Sequence, residues 1–105
     1  MLSKESLEYF DWYVAGYHPS KEVEDSIKWV LEYLIDNTIE ILKKERIKPI
    51  EAKLKTKDDW YEFITVILRE FEKKIPDKFN LQIIGTDLES LFLHIIYTEI
   101  MKKRD

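Results

Sequence analysis

Residues Lys21–Glu45 read KEVEDSIKWVLEYLIDNTIEILKKE, and this stretch decides the fold. Val23, Ile27, Val30, Leu31, Leu34, Ile35, Ile41 and Leu42 recur at helical spacing and share one face. Side chains three and four apart stand above one another on a helix, so this pattern makes a stripe that must be buried. Ser20 precedes the stripe, and its hydroxyl can accept from an orphan backbone N–H of the first turn. Pro49 forbids simple continuation. The spacing therefore predicts one long helix over about 21–45.

Working outward, three more helices carry matching stripes. The first is expected from about Lys4 to Gly16, with Ser3 as N-cap and Gly16 and Pro19 as stops. Leu7, Phe10, Tyr13, Val14 and Tyr17 form its stripe. Another follows Thr56, where Thr56-x-x-Asp59 resembles a capping box. Trp60, Phe63, Ile64, Ile67, Leu68 and Phe71 line it, and Pro76 closes the segment. The last follows Thr86, where Thr86-x-x-Glu89 has the capping-box pattern, and runs to about Lys103.

Between the long helix and Thr56, residues 46–56 (RIKPIEAKLKT) carry no helical stripe. Ile50, Ala52 and Leu54 alternate with charged or polar residues, as do Phe79, Leu81 and Ile83 further on. Two readings stand for these stretches. They form a minor extended pair at 47–54 and 79–83, or the second is a helical turn opened by Pro76 and stopped by Gly85. The expected fold is all-α for the most part, a compact bundle of about four helices, with 1–105 as one helical domain.

Composition supports this. The 105 residues suffice for one domain. Hydrophobic residues are 45% of the chain, enough for a core, while 2 glycines and 3 prolines are too few for a turn-rich β-sandwich. With no cysteine, disulfides, thiolate catalysis and Cys-ligated metal are excluded. The opening residues Met1–Ser6 lack the apolar run of a secretory signal, no stretch is apolar enough to span a bilayer, and the expected compartment is the cytoplasm. Lys and Glu are abundant and Gln is nearly absent, a thermophile-like composition.

Net charge is −4 but uneven. Residues 1–42 hold three basic and nine acidic side chains, whereas 43–57 hold seven basic and two acidic. Much of this follows the helix dipole, with acids at helix starts and bases at helix ends. Lys43, Lys44, Arg46, Lys48, Lys53, Lys55 and Lys57 are nevertheless the residues that would contact phosphate in a nucleic-acid-associated protein. The bland alternative is a solvated connection.

Apolar surface exceeds what four stripes require. Tyr9 and Trp12 lie off the first stripe, and Trp29 and Tyr33 form an i,i+4 pair beside the second. On the last helix, Leu93, Tyr97, Ile100 and Met101 cover much of the circumference that Leu88, Leu91, Phe92 and Ile95 leave free. A helix apolar all round is either central or meets another chain. Trp and Tyr are enriched at interfaces and often dominate their energy. Tyr9, Trp12, Trp29, Tyr33, Leu93, Tyr97, Ile100 and Met101 are thus the interface candidates.

Chemistry-bearing motifs are scarce. His18 sits at a helix boundary, where a role with Asp11 competes with a plain turn position. His94 lies on the apolar last helix, where a core or interface histidine is the simpler reading. No Glu-x-x-His pair, His-Glu-x-x-His or Gly-rich phosphate loop occurs. No catalytic residue, metal or cofactor is assigned. The expected function is a protein-interaction, scaffold or regulatory module, a homodimer or assembly subunit, with nucleic-acid association as the alternative and no membrane role.

Overall fold

The computed structural model describes residues 2–43, 53–74 and 81–103. Four helices follow in order: α1 (Lys4–Tyr17), α2 (Lys21–Leu42), α3 (Lys57–Glu72) and α4 (Asp87–Lys103). No strand occurs among the described residues, so the fold is an all-α bundle. The extended pair expected at 47–54 and 79–83 falls largely outside the described residues, as do Glu45 and Pro76. Of those stretches, Lys53, Leu54 and 81–83 are described, without strand pairing.

Each helix begins where its capping chemistry allows. Ser3 accepts from the Ser6 N–H, and Ser20 accepts from the Val23 N–H at 3.2 Å. Thr56 and Asp59 form the full reciprocal box. The Asp59 N–H donates to the Thr56 hydroxyl at 3.1 Å, and the Thr56 N–H donates to the Asp59 carboxylate at 3.1 Å. Lys55 adds a second N–H to that carboxylate. These backbone donors, Thr56 first, hold the Asp59 carboxyl below its usual range. Replacing Thr56 with Ala should cost about 0.5–2 kcal/mol, read as a lower urea midpoint.

The α4 start departs from the expected box. A turn over Ile83–Thr86, with Gly85 at φ 81°, uses the Thr86 N–H on the Ile83 carbonyl. Glu89 therefore reaches one residue further and accepts from the Gly85 N–H, while the Thr86 hydroxyl accepts from the Leu88 N–H. The α1 end differs too. The helix runs through Gly16 to Tyr17, and His18 takes the left-handed conformation at φ 49°, its N–H donating to the Val14 carbonyl. Pro19 explains why the helix goes no further, because the residue before a proline is disfavoured in the right-handed helical region.

The core is built around α4. Leu88, Leu91, Phe92, Ile95, Ile96 and Ile100 are buried along it, and the other three helices all pack on it. α2 contributes Ile27, Val30, Leu31, Leu34 and Ile35; α3 contributes Trp60, Ile64 and Leu68; α1 contributes Phe10. Most of the apolar circumference of α4 is thus covered by three neighbours within one chain. Two carboxylates tie distant segments to this core. Glu99, fully buried on α4, accepts from the Ser3 N–H, and its second oxygen has no hydrogen-bond partner among the described residues. Glu72, at the end of α3, accepts from the Ile83 and Ile84 N–H groups at 3.0 and 2.8 Å.

Candidate functional site

The interface candidates divide by burial. Ile100 is fully buried, and Leu93, Tyr97 and Met101 are half-buried against the core. Of the α4 positions, Ile100 therefore belongs to the centre of the bundle, while Leu93, Tyr97 and Met101 lie at its edge. Trp12 is 69% exposed, Trp29 49% and Tyr33 43%. These three, with Tyr9, define two aromatic surfaces.

The first surface crosses α1 and α4. Tyr9 stacks on His94 with ring centroids 4.0 Å apart and tilts toward Trp12 at 5.8 Å. Nearby, Tyr97 meets Tyr61 edge-on at 5.6 Å, and the Lys57 ammonium lies 5.3 Å from the Tyr61 ring centroid and 5.6 Å from that of Tyr97. Burial against Tyr9 and its neighbours pushes the His94 imidazole below its ordinary value of 6.5, the Lys57 charge adds to this, and Glu5 opposes it.

The neutral imidazole is thus the form the fold prefers. The unfolded chain binds the proton more readily, so stability should be complete above about pH 6.5 and decline as pH falls toward the lowered native value. Thermal unfolding followed between about pH 7.5 and 5.5 should show a falling Tm, and His94→Phe should flatten the curve across that window.

The second surface lies on α2 and reaches α3. Trp29 and Tyr33 stack with centroids 5.3 Å apart and planes 11° from parallel. Tyr33 also meets Phe71 of α3 at 5.1 Å. The i,i+4 spacing legible in the sequence produces the stack. The role of Phe71 was not legible, because its pairing with Tyr33 crosses between helices.

The basic candidates are less concerted. Lys44, Arg46 and Lys48 lie outside the described residues. Lys43 is exposed and 3.9 Å from the Glu40 carboxylate. Lys57 sits over Tyr61 and Tyr97, which leaves Lys53 and Lys55 as exposed lysines with no ion pair among the described residues. A salt-screened pair such as Lys43–Glu40 adds little stability.

His18 is an exposed helix cap, and His94 is stacked on Tyr9. Among the described residues no group of three or more His, Asp or Glu converges as metal ligands. An open cleft of about 560 Å³ along α3 is lined by Val66, Arg69, Glu70, Glu72, Lys73 and Ile84, charged and apolar groups without a histidine or serine. At the other end of α1, the nearby Asp87 carboxylate of α4 raises the pKa of the Tyr17 phenol. Among the described residues no helix is long and apolar enough to cross a membrane. No family model, curated protein or solved structure matches the chain.

Proposed function

We propose that the protein is a small helical protein-interaction module, working as a homodimer or as a subunit of a larger assembly. The supporting observation is the exposure of Trp12, Trp29 and Tyr33, large aromatic side chains that stand open among the described residues together with Tyr17, Val23 and Val66. Exposed tryptophans lose no packing when the bundle folds alone, and they supply large contact area to a second surface. The contacts would be made by α1 through Tyr9 and Trp12 and by α2 through Trp29 and Tyr33. The absence of cysteine fits a cytoplasmic setting. Nucleic-acid association ranks second, since it draws mainly on Lys53 and Lys55 among the described lysines.

Light scattering coupled to size exclusion, over a wide concentration range, tests the dimer. The expected species has twice the 12.8 kDa chain mass. Trp12→Ser and Trp29→Ser keep the fold, and the one that removes the interface anchor weakens association by about 30-fold or more. A monomer at every concentration would reject the homodimer.

A further inference from the structure

Acidic side chains surround the aromatic pair on the outward strip of α2. Glu22, Asp25, Glu32, Asp36 and Glu40 fall within about 60° of the Trp29 direction at 100° per residue. All but the half-buried Glu32 are exposed. Two lysines flank the strip. Lys21 pairs with Asp25 at 3.1 Å, and Lys43 lies 3.9 Å from Glu40. Glu22, Glu32 and Asp36 make no ion pair among the described residues. Among the described residues, five carboxylates therefore face two ammonium groups around a stacked Trp–Tyr pair that is nearly half exposed.

This combination selects one sign of partner. An aromatic face attracts cations through its quadrupole, and the carboxylates deepen that attraction. Polyanions, whether nucleic acid or acidic lipid, are repelled. The same strip on a second copy is also repelled, because like charges would be brought face to face. We propose that the α2 strip docks a Lys- or Arg-bearing segment of a partner protein, one cationic head against Trp29–Tyr33 and others on Glu32 and Asp36. Arginine suits the site best, since its planar guanidinium both stacks on rings and forks onto carboxylates. The proposal rests on the reading of the exposed aromatics as contact surfaces and names the partner chemistry of one of them.

The probe is a short fluorescein-labelled peptide of alternating arginine and alanine, followed by anisotropy as the whole protein is added. A glutamine–alanine peptide of equal length is the control. The arginine peptide should bind and the glutamine peptide should not, with affinity falling as salt rises. Trp29→Leu should weaken binding about two- to fivefold. Glu32→Gln combined with Asp36→Asn should weaken it about two- to tenfold. Circular dichroism shows that each variant stays folded, which these surface positions favour. Equal binding of both peptides, or unchanged affinity in both variants, overturns the proposal. Self-association lost in Trp29→Ser without any arginine-peptide binding also overturns it, while leaving the interaction surface standing. Peptide binding by a strictly monomeric protein supports the cationic partner and removes only the homodimer.

Discussion

Phe92→Ala should destabilise the protein by about 3–5 kcal/mol in urea denaturation. Phe92 is fully buried on α4, the helix on which α1, α2 and α3 all pack. Truncating it loses the transfer energy of the ring and opens a void that three different helices must collapse to fill. Domains of this size are stable by roughly 5–15 kcal/mol, so the loss consumes a large share and brings a marginal variant close to unfolding at 37 °C. Leu93→Ala, one residue on but half-buried, should cost markedly less. A loss below about 1 kcal/mol at Phe92 would mean that α4 is not the centre of the core.

Glu72→Ala should cost about 2–4 kcal/mol, the second largest effect expected of a single change. Its carboxylate accepts two successive backbone N–H groups, those of Ile83 and Ile84, and Ile83 is fully buried. Truncation leaves both donors without that acceptor and removes the tie between the end of α3 and the turn that starts α4. Amide hydrogen exchange reads the effect directly. Ile83 and Ile84 should be protected in the native protein and exchange fast in Glu72→Ala. Glu72→Gln keeps an acceptor oxygen without the charge and should recover about half of the loss. Unchanged protection at both amides in Glu72→Ala would show that the carboxylate does not hold this turn.

How much of this was legible before the structure depends on sequence distance. The α2 stripe, the Ser3 and Ser20 caps and the Thr56–Asp59 box are interactions within four residues, and each stands where its pattern put it, except that Val23 in the first turn of α2 is exposed because no neighbouring helix covers that end of the stripe. The Thr86–Glu89 box was misread because the Thr86 N–H was already used by the Ile83 carbonyl, a competition that a four-residue motif does not show. Gly16 did not end α1 because Pro19 constrains His18 more strongly than a glycine inside the helix relaxes it. Glu72 and Glu99 were invisible as ties, since their partners lie 11, 12 and 96 residues away.

The candidate surfaces follow the same division. The Trp29–Tyr33 pair was legible from i,i+4 spacing and is stacked. The apolar girth of α4 carried two meanings in the sequence, and the packing of α1, α2 and α3 assigns Leu88, Leu91, Phe92, Ile95, Ile96 and Ile100 to the interior, with Leu93, Tyr97 and Met101 half-buried at its edge. His94 could be placed on an apolar helix but not on the Tyr9 ring, because that stacking joins α1 to α4.

The hub position of α4 also sets an order of events during synthesis. α1, α2 and α3 leave the ribosome first, and their strong packing runs to α4 rather than to one another. Until α4 emerges, the stripes of Ile27, Leu31, Leu34, Ile64 and Leu68 have no common partner to cover them. Contacts between α1 and α4 then close a loop that includes the 96-residue separation between Ser3 and Glu99. Assembly of the bundle is consequently a late, cooperative step that waits for α4, rather than a gradual accretion of helices.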